Sequence, residues 1–163
     1  MSTRTSGGRV TEITKDVTAV ADKGGRLLVT VRQTETGVRD HVYQYAVSVT
    51  GVSLAALDEE AFDPPVPLLR LPARAGDTWD RQRAAPGAPP ATFTYTVGKE
   101  AEVGAEGGKV RAVPVERVVT GGGKVVSRLT YWYAPGRGQV RLEGNTGAED
   151  YTKVRKSFSA AKH

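Results

Sequence analysis

The stretch that decides the fold reads RLTYWYAPGRGQVR and runs from Arg128 to Arg141. Apolar and aromatic side chains recur in its first half, and an extended chain points successive side chains to opposite faces. One face would carry Leu129, Tyr131 and Tyr133. Pro135 and Gly136 suit a chain reversal, because proline presets its backbone angle and glycine accepts a positive one. The stretch therefore predicts a strand, a tight turn and a second strand.

The same alternation recurs along the chain, between turns rich in glycine. Residues 27–32, 40–50 and 92–97 alternate with a period of two, which is typical of half-buried strands. Short strands at regular intervals indicate an antiparallel barrel or sandwich. We predict an all-β fold, a strongly curved antiparallel sheet that forms an open half barrel of about nine or ten strands with little or no helix.

Two segments fit this pattern less well. Residues 51–63 contain good helix formers after Ser53, a candidate N-cap. We predict a strand over 51–56 followed by an acidic loop, with a short helix as the alternative. Residues 63–75 contain four prolines, which lack the N–H donor of a strand ladder, so an extended connector at a sheet edge is expected. Residues 84–90 are predicted to form a loop.

The chain of 163 residues is long enough for one domain with a sizeable core. We predict a single β domain over 9–158, a flexible N-terminal tail over 1–8 and a C-terminal tail over 159–163. No run is apolar and long enough for a membrane span. The N-terminus lacks the apolar segment of an export signal.

Composition excludes several kinds of site. The chain has no cysteine, so disulfides and thiolate metal sites are excluded. Its net charge is +5, but the basic residues are scattered, and nucleic-acid binding normally needs a focused basic face. Two histidines cannot supply a histidine zinc site. We expect no nucleic-acid partner, no metal and no cofactor.

Catalytic motifs are equally sparse. A hydrolytic triad usually needs histidine as its base, and the one internal histidine is His41. A packed or edge histidine is the simpler interpretation of its place in an aromatic strand. The stretch from Thr120 to Lys124 superficially looks like a phosphate-binding loop, but a hairpin turn explains it better. We predict that the protein is not an enzyme; the competing hypothesis makes His41 essential for turnover.

The aromatic side chains are the candidate binding residues. The alternation places the tyrosines of three strands on inward faces, where they either form core or line the concave side of the sheet. Rigid amphipathic rings on such a surface suit a lipid-like ligand or a protein segment. The two tryptophans could be core or rim. The candidate ligand-binding set is Tyr43, Tyr45, Tyr95, Tyr131, Tyr133, Trp79 and Trp132.

Three motifs resemble those of a family of uncharacterised bacterial envelope proteins, sometimes labelled TapB-like, a domain of unknown function. They are Phe62–Pro72, Ala75–Trp79 and Tyr131–Gly136 with the following Gly138 and Val140. The resemblance covers about residues 8–158. It implies a curved antiparallel sheet like the half barrel of lipoprotein carriers. It also implies a periplasmic or secreted location with the targeting signal removed; a cytoplasmic location is the open alternative.

This chain departs from that family in lacking an export signal and a lipid-attachment cysteine, and in carrying Arg137 and Gln139 after the turn. The family has no established activity, so the resemblance implies no mechanism. We expect a non-catalytic envelope protein that binds a lipid-like or peptide ligand. The alternative is a structural or assembly protein that pairs with a partner through its sheet edges.

Overall fold

A computed structural model describes residues 2–6, 9–83, 90–105, 107–147 and 150–155. Within these ranges every regular element is a β-strand, and no helix is present. The strands are β1 (Ser2–Ser6), β2 (Arg9–Asp22), β3 (Leu27–Glu35), β4 (Val38–Ser48), β5 (Gly51–Leu57), β6 (Glu60–Arg70), β7 (Thr78–Arg83), β8 (Ala91–Val97), β9 (Ala101–Ala105), β10 (Gly108–Gly121), β11 (Lys124–Ala134), β12 (Gly138–Asn145) and β13 (Asp150–Arg155).

The strand pairs whose registers are described are antiparallel, and the strand order is β6-β5-β4-β3-β2-β1-β13-β12-β11-β10-β8-β7, with β9 paired to β10 off this path. The predicted fold class, an all-β antiparallel sheet with little or no helix, is confirmed. The predicted strand number is wrong, because thirteen strands lie in the described residues, whereas about nine or ten were expected.

The proline-rich segment accounts for part of that difference. The expected connector is a strand, because β6 runs from Glu60 to Arg70 and pairs with β5. Its position at one end of the strand order agrees with the predicted edge, where a proline need not donate to a second neighbour. The strand predicted over 51–56 is present as β5, and a two-residue turn at Asp58 and Glu59 replaces the acidic loop.

The N-terminal segment also differs from expectation. A flexible tail was expected over 1–8, yet Ser2–Ser6 form β1 and pair with β13, with Thr3 opposite Val154. Threonine favours extended backbone, and the ladder of β13 offers hydrogen bonds that a free tail lacks. The loop predicted over 84–90 lies outside the described residues except for Pro90, and the tail predicted over 159–163 lies wholly outside them.

The chain divides into two compact units. The smaller unit comprises residues 11–73, and the larger unit comprises residues 1–10 and 74–163. In the smaller unit the strands from β2 to β6 follow one another as antiparallel neighbours. Its buried apolar side chains, Ile13, Val31 and Ala46, lie on three successive strands. The single β domain over 9–158 stays a prediction.

The buried apolar side chains among the described residues of the larger unit fall into two clusters. The first follows the pairing of β7, β8, β10 and β11, because directly opposed residues share a face. Its buried members are Trp79, Tyr95, Val97, Val115, Val119 and Leu129. The second cluster is formed by Ala112, Ala134 and Val140, with the partly buried Trp132 and residues of the β9–β10 hairpin packed against them.

The turn between β5 and β6 is held by one carboxylate. Asp58 adopts a left-handed conformation with φ 53°, and its carboxylate accepts hydrogen bonds from the Val42 backbone N–H at 2.8 Å and from Arg39 at 2.8 Å. His41 Nδ1 lies 2.9 Å from the same carboxylate. The pKa of Asp58 is lowered, chiefly by the hydrogen bond from Val42 and next by the hydrogen bond with His41.

We predict that the free energy of unfolding of Asp58→Asn falls less steeply than that of the wild type as the pH is lowered. A carboxyl group with a lowered pKa stabilises the fold above its unfolded value of 3.8, and this stabilisation is lost as the pH falls through the folded value. Asparagine tolerates the left-handed conformation, so the change removes the charge with little backbone strain. Urea unfolding between neutral pH and about pH 2 measures the effect. Equal acid slopes for the two proteins would contradict the prediction.

Candidate functional site

The seven aromatic residues proposed from the sequence are distributed over both units. Tyr43 and Tyr45 lie on β4 of the smaller unit. The other five lie in the larger unit: Trp79, Tyr95, Tyr131, Trp132 and Tyr133. These five differ in exposure and in the face they occupy, and the differences decide which of them can contact a ligand.

Trp79 and Tyr95 belong to the buried core. They are directly opposed on β7 and β8, and their rings stack with centroids 5.3 Å apart and an interplanar angle of 6°. Trp79 is 5% exposed and Tyr95 is 1% exposed. Rings this deeply buried stabilise the sheet. They offer almost no area to a ligand.

Trp132 lies on the opposite face from Tyr131 and Tyr133, as the alternation along β11 requires. It packs against the second apolar cluster, and its Nε1–H donates to Glu143 Oε1 at 3.2 Å. The other Glu143 oxygen accepts from Arg141 Nε at 2.6 Å. Trp132 is therefore a half-buried core residue with a satisfied indole N–H, on a different surface from the tyrosines.

Tyr131 and Tyr133 form a stacked pair along β11. Their ring centroids are 6.5 Å apart with an interplanar angle of 11°, and both residues are half-buried. Val113 and Val115 of β10 lie directly opposite them. A register shift between Trp132 and Tyr133 interrupts the pairing with β12 at this point. The pair therefore presents a continuous aromatic surface that is partly accessible.

The smaller unit contains a second stacked pair of the same kind. Tyr43 and Tyr45 have ring centroids 5.9 Å apart and an interplanar angle of 7°. Lys15 Nζ lies 5.5 Å from the centroid of the Tyr43 ring, and the His41 ring meets Tyr43 edge to face. This pair is also half-buried. It matches the Tyr131–Tyr133 pair in geometry but has different neighbours.

Arg117, a residue that the sequence did not single out, lies among the aromatic side chains of the larger unit. On β10 it is directly opposite Tyr95 of β8 and Leu129 of β11. Its guanidinium carbon lies 5.5 Å from the centroid of the Tyr131 ring and 5.9 Å from that of Phe93. The side chain is half-buried, and its Nε is buried without a hydrogen-bond partner.

The surroundings of Arg117 on that face are apolar or aromatic. By register, its neighbours along and across the strands are Phe93, Tyr95, Val97, Val115, Val119, Leu129 and Tyr131, with Ser127 opposite Val119. Among the described residues no carboxylate pairs with its guanidinium; Glu116, one position earlier and hence on the other face, pairs with Arg128 at 2.9 Å. A positive charge thus lies in an aromatic surface without an acidic partner in the described part of the chain.

The titration of Tyr95 reflects this environment. Burial raises the pKa of Tyr95 above its usual value, because the phenolate would lose its hydration. The charges of Arg117 and Arg81, and a hydrogen bond from Arg117, act in the opposite direction without cancelling the effect of burial. Tyr95 therefore stays neutral near pH 7 and cannot serve as the counter-ion of Arg117.

We call Phe93, Arg117, Tyr131 and Tyr133 the arginine face. Its four side chains are half-buried, whereas Tyr95, Val115 and Leu129, their neighbours on the same face, are buried. The sequence did contain a signal for Arg117, because a period of two places it in register with Val115 and Val119. A charged residue at an apolar position of a strand is the kind of exception that marks a site.

The other candidate chemistry considered from the sequence is catalysis by His41 and metal binding. His41 pairs with Asp58 in the smaller unit. The described residues contain no group of three or more histidine, cysteine, aspartate or glutamate side chains that could hold a metal ion. Within the same residues, no helix is long and apolar enough to cross a membrane.

Comparisons with known proteins show similarity of fold. No family model and no curated protein matches the chain. A solved structure from Parabacteroides distasonis, named as a predicted lipoprotein, matches with a TM-score of 0.60 and 11% identity over 93% of this chain and 91% of the other. A Bacteroides fragilis structure, named as a predicted exported protein with a YmcC-like fold, matches with a TM-score of 0.50 and 13% identity over 94% and 92%.

These two structures support the fold and nothing finer. At 11% and 13% identity the residues of a site cannot be carried from one chain to the other. The predicted resemblance to uncharacterised envelope proteins agrees with how both neighbours are named, while the TapB-like family itself is not confirmed.

Proposed function

We propose that this protein is a non-catalytic ligand-binding protein of the bacterial envelope, and that the arginine face holds a lipid-like ligand. One observation carries the proposal: Tyr131 and Tyr133 form a partly accessible aromatic surface directly beside Arg117 and Phe93. Aromatic rings provide a large apolar contact area at a low cost in conformational entropy, and binding sites combine such area with few polar groups.

The envelope location is supported by the structural neighbours. One is named as a predicted exported protein and the other as a predicted lipoprotein. Each match covers more than nine-tenths of this chain. Proteins of one fold can differ in function, so the likeness supports a location and leaves the ligand to be argued from the side chains.

Assembly through sheet edges, the alternative function, is less well supported at β6. This strand ends the strand order, but it carries Pro64, Pro65 and Pro67, which have no N–H to donate to a docking strand. A partner chain remains a prediction that light scattering of the purified protein can test.

We predict that lipid extracted from the purified protein depends on one tyrosine pair. The double change Tyr131→Ala and Tyr133→Ala removes the apolar surface of the arginine face, so we expect it to abolish the co-purifying lipid. The change Tyr43→Ala and Tyr45→Ala removes an equivalent stacked pair from the other unit and is the matched control. Mass spectrometry of the extracts, with circular dichroism to verify folding, measures the difference.

Two results would count against the proposal. Wild-type protein that carries no lipid above the background, and takes up none when incubated with total bacterial lipid, would contradict lipid binding. An equal loss in both double variants would show that the arginine face is not the site.

A further inference from the structure

We infer that the ligand of the arginine face is a single-chain amphiphile with an anionic head group, and that the guanidinium of Arg117 binds that head group. The inference rests on the proposed function and adds the chemistry of the ligand's polar end. It follows from three features of the larger unit: the position of a positive charge, its missing counter-ion and the direction in which the apolar surface extends.

The first feature is that Arg117 occupies an apolar position. Its neighbours on the face are valine, leucine, phenylalanine and tyrosine side chains, and its Nε is buried without a partner. Partial burial of a charge weakens its hydration, and a buried charge is normally paired. A valine or leucine at this position would fill the sheet at no such cost, so the charge is not explained by packing.

The second feature is that the compensation within the protein is incomplete. Phe93 and Tyr131 lie within 6 Å of the guanidinium, which gives cation–π attraction. One N–H donor of the guanidinium forms a hydrogen bond with Tyr95, and Nε–H has no partner. A guanidinium has five N–H donors, and a carboxylate or phosphate oxygen pair accepts two of them in parallel. An anionic group on the ligand would accept hydrogen bonds from the remaining N–H donors of Arg117.

The third feature is the direction of the aromatic surface. Tyr131 lies next to the guanidinium, and Tyr133 stacks on Tyr131 one step farther along β11. The surface thus changes from charged to apolar over the length of the stacked pair. An amphiphile whose head group meets Arg117 and whose chain lies along the two rings matches this order of polarity.

The experiment is a calorimetric titration of dodecanoate and of dodecanol, its uncharged analogue, each below its solubility limit. The proteins are the wild type, Arg117→Met and Arg111→Met. Arg111 lies on the same strand but is exposed and pairs with Glu100, so it is the matched control. We expect Arg117→Met to weaken dodecanoate binding by at least about tenfold, the loss typical of a charge-assisted pair, and to leave dodecanol binding unchanged. Arg111→Met should bind both as the wild type does.

The outcomes distinguish failure of the head-group inference from failure of the proposed binding function. Dodecanoate binding that is equal in the wild type and in Arg117→Met overturns the inference and leaves the proposed function standing. Failure of both amphiphiles to bind the wild type overturns both. Methionine has a similar length and no charge, so Arg117→Met should be as stable as the wild type or more stable. A variant that does not fold shows that the guanidinium is structural, which also overturns the inference.

Discussion

Replacing Trp79 with alanine is expected to lower the free energy of unfolding by about 3–5 kcal/mol, the range for large aromatic side chains in cores. The indole is 5% exposed and stacks on Tyr95, which is itself 1% exposed. The change removes the buried area of the indole and the stacking partner of Tyr95. Among the described strands β7 pairs with β8 alone, so no second neighbouring strand holds it in place. Such a loss approaches the whole stability of many domains.

Trp79→Phe is the control for this prediction. Phenylalanine keeps a ring that can stack on Tyr95, so it should lose clearly less stability than alanine. Urea unfolding followed by far-ultraviolet circular dichroism gives the free energies. A loss below about 1 kcal/mol for Trp79→Ala would place Trp79 outside the core, as the rim residue that the sequence also allowed.

Gly144→Ala is expected to disrupt the pairing of β11 and β12. Gly144 has φ 140°, a conformation that residues with a Cβ rarely adopt, and an added Cβ would overlap the backbone carbonyl oxygen of Arg128. Backbone atoms of a paired strand cannot move aside as a flexible side chain can. The variant must therefore separate the two strands locally or change the glycine's own backbone angles. Gly51 stands in the same relation to Leu69 and should behave similarly.

A glycine in open space isolates the part of this effect that comes from steric overlap. Gly122 has φ 56° and nothing within 4 Å of an added Cβ, so Gly122→Ala costs only the left-handed conformation, about 1–2 kcal/mol. Gly144→Ala should cost more than that in the same unfolding assay. Equal losses at the two positions would mean that β11 yields at Arg128 without cost.

The alternation of apolar and polar residues predicted much of this fold, and its failures have physical causes. The strands with a clean period of two, such as β3, β4, β8 and β11, were placed to within a few residues. β9 was missed because its sequence, AEVGA, contains alanine, glutamate and glycine, which are weak strand formers. Its position is determined by pairing with β10, a contact that local sequence does not encode.

The site was less predictable because it depends on which strands are neighbours. The alternation correctly placed Trp132 on the opposite face from Tyr131. It could not show that Trp132 donates a hydrogen bond to Glu143 and packs against the second apolar cluster. It likewise could not show that Arg117 of β10 faces Tyr95 of β8 and lies beside Tyr131 of β11. The registers between strands are part of the tertiary structure and are not encoded in local sequence. They decide which aromatic residues lie in the core and which lie on the arginine face.

The most direct test of ligand binding at the arginine face is a titration of isotope-labelled protein with dodecanoate, followed by nuclear magnetic resonance of the backbone amides. The predicted result is a set of saturable shift changes centred on Phe93, Arg117, Tyr131 and Tyr133, with Tyr43 and Tyr45 unaffected. Shift changes centred on the Tyr43–Tyr45 pair, changes spread evenly over the surface, or no changes at all would contradict the claim that this face binds the ligand.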